Sequence, residues 1–297
     1  MNNDTDTAYY NFADIPPIST YLVEHSSYSR NIDETNYKRS TIIPSSTIEL
    51  ASDILCAPST SFVCYANNLF RQGYIPRHLN VIEKIVANKE NAYAECVASR
   101  ILNYYGIGTA YNTLSIDDSN NYHVISVKTT LAKPVRIDIS SNLKYRNLQD
   151  WIDAIHSSYQ DTDKATNLTQ QLIMSYLVRV GILNDLDFRS DHWLITDNGP
   201  ANIDMEMSLR KPINVNNAHF LSNIRYIADN YPDIVDKFTH RTAQLISSTD
   251  NSSDLEKIIK NGVYNDYGVY ANMLNIARQN IAETTSQLTE KSAIKER

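Results

Sequence analysis

Short apolar runs separated by polar turns occupy much of the first half of the chain. Runs of this kind that are rich in Val, Ile, Thr and Tyr are typical of β-strands. Four runs, at 61–65, 79–87, 109–116 and 122–130, are therefore predicted strands. The polar sequence DDSNN predicts a turn between the last two.

Helical periodicity separates the second predicted strand from the third. Over 90–105, apolar residues recur at the spacing of one helix face, which predicts an amphipathic helix. These residues are Ala94, Val97, Ile101, Leu102 and Tyr105. Gly106 then stands where a helix commonly ends in a left-handed residue, so we expect the helix to end there.

The pattern becomes helical after Pro134. The segments 147–159 and 167–183 predict two amphipathic helices, and the second is apolar enough to be a central buried helix. Two further helices are predicted within 217–245 and 252–285.

This order of elements predicts an α+β protein with two lobes. A small β-rich N-lobe would span 46–131 and a larger helical C-lobe 132–297, with the joint near 129–134. Ligand clefts commonly form between such lobes. Residues 1–45 are rich in Ser, Thr and Asn, and they form either an arm packed on the body or a partly disordered segment.

Composition and charge narrow the function. Of the 297 residues, 42% are hydrophobic and 21% are charged, as in ordinary globular proteins. A net charge of −7 argues against direct nucleic-acid binding as the primary role. No apolar run approaches the roughly 20 residues of a membrane helix, and the polar, acidic N-terminus is unlike a signal peptide, so we expect a cytoplasmic protein without a membrane partner.

An acidic segment, 184–204, follows the predicted central helix directly. Asp187 and His192 lie five residues apart on a predicted loop, and Asp204 follows after a short apolar strand. Phosphoryl transfer requires a carboxylate that orients the acceptor hydroxyl and ligands that hold a divalent metal on the phosphates. The segment offers candidates for both roles. Ordinary turn and capping residues would give a similar composition, and this alternative stays open.

The same segment resembles the catalytic loop of HipA-type kinases, relatives of the phosphatidylinositol-kinase-like group. Their pattern is D-x-H-x-x-N, followed by an aromatic and apolar strand and then by a metal-binding Asp. The resemblance implies that Asp187 is the catalytic aspartate, that Arg189 stands where the family often has His, and that His192 replaces the metal-binding Asn. Asp204 would be the second metal ligand. The implied fold is that of a two-lobed protein kinase that uses ATP and Mg²⁺ or Mn²⁺.

The sequence NAYAECVASRILNYYGIGTA resembles a helix in the N-lobe of the same family. This resemblance implies that Glu95 pairs with a strand lysine, Lys84, which would hold the α- and β-phosphates of ATP. Lys89 is a competing candidate for that lysine. Solvent-exposed roles for Lys84 and Glu95 also stay open.

Two departures from the family pattern bear on activity. The phosphate loop corresponds to 57–61, which lacks the family's glycine; Ser59, Thr60 and Ser61 are the predicted phosphate-binding residues there and candidate autophosphorylation sites. In addition, the imidazole of His192 suits Zn²⁺ or Mn²⁺ better than Mg²⁺. A structural, hydrogen-bonded role for His192 stays open beside the metal contact.

Three hypotheses follow. The first is a HipA-like Ser/Thr protein kinase that phosphorylates a protein substrate, as a toxin or an effector. The second is a pseudokinase that binds a regulatory protein partner without turnover. The third is an unrelated helical interaction protein whose acidic loop is incidental, which the absence of a cleft would favour.

Overall fold

Three of the first four strands along the chain are interrupted only by one helix, and helices make up more than half of the residues that the structure describes. The computed structural model describes residues 40–43, 80–86, 88–109, 111–116, 122–128, 144, 146–189, 192–196, 199–249, 252–263 and 266–289. The strands are β1 Ser40–Ile43, β2 Asn80–Val86, β3 Tyr111–Ile116, β4 Tyr122–Lys128, β5 Trp193–Thr196, β6 Gly199–Asn202, β7 Ser248–Thr249 and β8 Ser252–Ser253. The α-helices are α1 Lys89–Tyr104, α2 Leu148–Ser158, α3 Thr162–Tyr176, α4 Ala218–Asn230, α5 Pro232–Ile246, α6 Asp254–Gly262 and α7 Tyr267–Thr289.

The first four strands form an antiparallel sheet in the order β1–β2–β4–β3. In the pairing of β2 with β4, Val86 lies opposite Tyr122. Three predicted strands therefore correspond to β2, β3 and β4, and the fourth, at 61–65, lies outside the described residues. The strand β1 falls within the segment that was predicted to be an arm.

Helix α1 begins and ends where the sequence predicts. The Asn88 side chain caps its start by accepting hydrogen bonds from the amides of Glu90 and Asn91. After the helix, Gly106 has a φ of 72°, the left-handed conformation expected at this position. Alanines at 92, 94 and 98 are fully buried, which allows the helix to pack closely on the sheet and on α6.

The predicted central helix is buried, but its second half is a π-helix. Asp161 caps the start of α3, and after Tyr176 the chain continues as the π-helix Leu177–Ile182. Every residue of the π-helix is buried, including the single cation Arg179. π-Helical turns are rare and often occur at functional sites.

Four helices lie among the described residues after 217, so the prediction of two was wrong. Within the first predicted helix, Pro232 begins a new helix, α5, because proline fits the first helical turn and not its interior. Within the second, a capping box formed by Ser253 and Glu256 starts α6, and α7 follows separately. No helix among the described residues is both long enough and apolar enough to cross a membrane.

Candidate functional site

Three carboxylates from two distant parts of the chain meet at one place. Glu95 of α1 and the pair Asp204 and Glu206 each offer one carboxylate oxygen, and these oxygens lie within 4.8 Å of one another. Glu95 is 4% exposed, and the other two are partly buried. Three carboxylates this close together attract a divalent cation, and carboxylate oxygens are hard donors that suit Mg²⁺ and Mn²⁺. The donor set therefore fits a divalent metal.

Glu206 was not predicted, although it belongs to this cluster. It stands two residues after Asp204, and the intervening Met205 is fully buried. The spacing D-x-E is the one local signal that could have pointed to Glu206 as a metal ligand. The contact with Glu95 gives no local signal, because Glu95 lies more than 100 residues earlier in the chain.

The loop that carries Asp187 is held by a buried ion pair. Defined as residues 184–189, this Asp187 loop follows the π-helix directly. The carboxylate of Asp185 pairs with the guanidinium of Arg179, and both side chains are 0% exposed. The other oxygen of Asp185 accepts a hydrogen bond from the Asp187 amide at 3.0 Å. The Asp187 side chain itself is 36% exposed, so its carboxylate contacts solvent.

His192 links the Asp187 loop to Asp204. Its Nδ1 lies 2.7 Å from the carbonyl oxygen of Asp187. A carbonyl oxygen only accepts hydrogen bonds, so Nδ1 carries a hydrogen. The Nε2 atom lies 3.3 Å from the Asp204 carboxylate. In the neutral ring, the lone pair of Nε2 therefore lies on the side of the acidic cluster, which is the orientation that a metal-binding histidine requires.

Arg189 contacts both His192 and Asp187. One terminal nitrogen of its guanidinium lies 2.9 Å from Nε2 of His192, and its Nε lies 3.6 Å from the Asp187 carboxylate. When the imidazole is neutral, its Nε2 accepts a hydrogen bond from this nitrogen of Arg189. A metal bound through Nε2 would have to replace this contact.

The remaining predicted residues lie apart from this geometry or outside the described residues. The backbone of Lys84 is part of β2, but its side chain is not among the described residues, and neither are Ser59, Thr60 and Ser61. The competing lysine, Lys89, forms an ion pair with Asp266 at 2.7 Å instead. The roles predicted for Lys84 and the three hydroxyl residues remain predictions.

A second buried cation, Lys144, contacts the beginning of the Asp187 loop. Its ammonium donates to the side chain of Asn184, whose amide nitrogen donates in turn to the carbonyls of Lys211 and Pro212. Burial, together with the nearby charge of Lys211, lowers the pKa of Lys144 to about 8. Asn184 has a φ of 44°, and these contacts hold it in that left-handed conformation.

Sequence comparisons find no match: no family model and no curated protein matches the chain. Among solved structures, the proinflammatory kinase CtkA of Helicobacter pylori matches 71% of this chain and 88% of its own, at 15% identity and a TM-score of 0.43. HipA of Shewanella oneidensis, solved with HipB and operator DNA, matches 69% of this chain at 9% identity and a TM-score of 0.45.

A thermostable mutant of the aminoglycoside phosphotransferase APH(4)-Ia also matches, over 72% of this chain and 88% of its own, at 9% identity and a TM-score of 0.23. The match to HipA covers 57% of that protein's length. HipA is thus among the proteins to which this chain is similar, as the sequence motifs predicted. The low TM-scores do not assign an activity or a residue role.

Proposed function

We propose that this chain is a two-lobed, HipA-like serine/threonine kinase that transfers the γ-phosphate of ATP to a protein hydroxyl. The N-lobe would comprise 46–131 and the C-lobe 132–297, with the site between them. The observation that carries the proposal is the meeting of Glu95, Asp204 and Glu206 within 4.8 Å, beside His192 and the Asp187 loop. Phosphoryl transfer requires this combination of metal-binding carboxylates and a separate, accessible carboxylate.

In this proposal Asp187 accepts the proton of the attacking hydroxyl. The hydroxyl oxygen forms a bond to the γ-phosphorus while the bond from that phosphorus to the β–γ bridging oxygen breaks, and ADP leaves. The 36% exposure of the Asp187 side chain leaves room for the acceptor. The hydrogen bond from its amide to Asp185 orients the loop so that the carboxylate is already in place.

Asp204, Glu206 and His192 would hold a divalent metal, with Glu95 at the edge of the same group. When bound, the metal neutralises the charge that develops on the phosphate oxygens. Three carboxylates suit Mg²⁺ and Mn²⁺, and the imidazole favours Mn²⁺ of the two. Glu95 would also position Lys84 on the α- and β-phosphates.

A second candidate function is a pseudokinase, and the position of Arg189 favours it. Its guanidinium contacts both the proposed base and the proposed metal ligand, at 3.6 Å and 2.9 Å. A protein in which this contact persists would bind a partner without turnover. A toxin or effector role applies to either candidate and stays a prediction.

The test is incubation of the purified chain with ATP labelled at the γ-phosphate and either Mg²⁺ or Mn²⁺, alongside Asp187→Asn, Glu206→Gln and a control, Asp236→Asn. Asp236 is an exposed residue of α5, so we expect its variant to incorporate label as wild type does. We expect label on the protein or on an added protein substrate, higher incorporation with Mn²⁺, and loss of at least 100-fold in Asp187→Asn (roughly the contribution of a general base).

Thermal shift with ATP and Mn²⁺ separates the candidates. Binding of ATP with Mn²⁺ that is lost in Glu206→Gln, without any incorporation, would identify a pseudokinase. Neither binding nor incorporation would refute the kinase, and would leave a pseudokinase that binds no nucleotide or the helical interaction protein. Incorporation that persists in Asp187→Asn would refute the role of Asp187.

A further inference from the structure

We propose that Arg179 is a positioning residue that aligns the Asp187 loop with the segment carrying Asp204. This inference rests on the proposed function, because it concerns the same site. Arg179 contacts neither the acceptor hydroxyl nor the phosphates in the proposal; it acts through the backbone of the residues that do. Neither the sequence motifs nor the family resemblance singled it out.

All five N–H donors of the Arg179 guanidinium have acceptors. Two of them bind the Asp185 carboxylate, with Nε at 2.8 Å. One terminal nitrogen donates to the carbonyl of His192 at 3.1 Å and to the side chain of Asn202 at 3.4 Å. The other also donates to the carbonyl of Asp204 at 3.3 Å. One side chain therefore holds the backbone on both sides of the β5–β6 hairpin.

The contacts of Asn202 extend this network to α1. Its backbone amide and its side-chain amide both donate to the carbonyl of Gly108, at 2.8 and 3.1 Å. Gly108 follows α1, the helix that carries Glu95. Arg179 thus contacts the Asp187 loop and the segment that carries Asp204 directly, and it is connected through Asn202 to the end of α1, the helix that carries Glu95.

The energetics favour a positioning role over a purely stabilising one. A fully buried ion pair commonly stabilises a fold no more than apolar side chains of the same size would, because both charges lose their hydration. The guanidinium also lies 4.2 Å above the ring of Phe188, which removes it further from water. What an apolar side chain cannot supply is five directed donors to three separate segments.

The conformation of Asp204 is one that this network supports. Its φ is 54°, a left-handed conformation that a non-glycine residue adopts at an energetic cost. The hydrogen bond from Arg179 to its carbonyl opposes relaxation of the backbone. Nε2 of His192 and the Asp204 carboxylate are thereby kept 3.3 Å apart.

The experiment compares Arg179→Lys and Asp185→Asn with wild type and with Arg278→Lys. Lysine has three donors on one nitrogen and cannot reach all four acceptor atoms that the guanidinium binds. Arg278 is 52% exposed and pairs with Glu256 on the surface, so the same exchange there serves as the matched control. Two quantities are measured below the unfolding temperature of each variant: the dissociation constant for Mn²⁺ alone, and amide hydrogen exchange.

We expect both site variants to bind Mn²⁺ at least tenfold more weakly than wild type, with Arg278→Lys unchanged. Amide exchange should accelerate at Asp187 and Ile203, whose N–H groups bind Asp185 and the His192 carbonyl, and not in α7. A purely structural role would raise exchange throughout the protein. Folded variants with wild-type Mn²⁺ affinity and wild-type exchange at these amides would overturn the proposal, and so would the failure of both variants to fold.

The exchange measurement distinguishes this proposal from the proposed function, because it needs no metal. If wild type binds no Mn²⁺ while Arg179→Lys still accelerates exchange at Asp187 and Ile203, the kinase proposal fails and the positioning role stands. If wild type binds Mn²⁺ and neither site variant changes affinity or local exchange, only the positioning role fails.

Discussion

Among the glycines whose surroundings the structure describes, Gly108 is the one at which an added Cβ would come closest to a neighbouring atom. A Cβ at this position would lie 2.1 Å from the carbonyl oxygen of Pro200 and 3.3 Å from its carbonyl carbon. Both are backbone atoms, so no side chain can rotate away. The contact forces the chain after α1 and the strand β6 apart by more than 1 Å, roughly the shortfall from van der Waals distance.

The magnitude follows from what this separation breaks. The Gly108 carbonyl accepts two hydrogen bonds from Asn202, and each contributes about 0.5–1.5 kcal/mol net. The steric overlap adds about 1–3 kcal/mol, as overpacking does elsewhere. We therefore expect Gly108→Ala to lower the free energy of unfolding by about 2–5 kcal/mol, after allowance for the smaller entropy of the unfolded alanine chain.

Urea unfolding followed by circular dichroism measures this loss. The matched control is Gly268→Ala in α7, where an added Cβ would meet only an Asp266 side-chain oxygen at 3.5 Å. We expect that exchange to leave the stability unchanged or to raise it by up to about 1 kcal/mol, because alanine is the better helix former. A loss below 1 kcal/mol for Gly108→Ala would refute the close approach of the two segments.

Three further substitutions test other parts of the structure. Asn280→Ala removes the side chain that binds two buried backbone groups, and it should lower the free energy of unfolding, measured in urea, by about 2–4 kcal/mol. The control Asn275→Ala, at an exposed position of the same helix, should change it by less than about 0.5 kcal/mol. Equal losses in the two variants would contradict the role of the buried hydrogen bonds. Arg189→Met removes the cation beside Nε2 of His192, so Mn²⁺ binding measured by calorimetry should become about three- to tenfold stronger. The control Arg225→Met should leave the Mn²⁺ affinity unchanged. Weaker binding in Arg189→Met would show that this arginine supports the metal site. Lys144 has a folded pKa of about 8, below its unfolded value of 10.5, so between these two pH values the unfolded chain binds more protons than the folded chain. The free energy of unfolding should therefore rise from pH 8 to 10 in wild type, and this rise should be smaller in Lys144→Met. Parallel pH profiles of the two proteins would exclude this contribution of Lys144.

Local pattern was sufficient to predict the elements around α1. Helical spacing and Gly106 gave its extent, since capping and periodicity depend on neighbouring residues only. The same reasoning was wrong for the C-terminal helices, where long apolar periodicity concealed the helix starts at Pro232 and Ser253. Both starts carry recognisable signals, a proline at the first helical position and a capping box.

Contacts between distant segments could not be predicted from local pattern. Only the family resemblance brought Glu95 and Asp204 into one site, and it did not indicate Glu206. Arg179 carried a signal of a different kind, since it is a single charge within the apolar sequence YLVRVGIL. A buried charge requires partners, but the sequence does not say which ones, because they lie on three separate segments.

The π-helix Leu177–Ile182 is the part of this helical stretch in which a change of one residue in length is most easily absorbed. Each π-type hydrogen bond encloses one residue more than an α-type bond, as in the bond from the Leu183 amide to the Val178 carbonyl. A π-helical turn thus takes up about one residue more than an α-helical turn, and deleting one residue here would restore α-helical hydrogen bonds with little rotation of the segments beyond it. The same deletion within the α-helical part, α3, would instead rotate everything beyond it by about 100° and turn the Asp187 loop away from Asp204. Among related chains, we expect a difference of one residue in length to occur in the π-helical stretch rather than within α3.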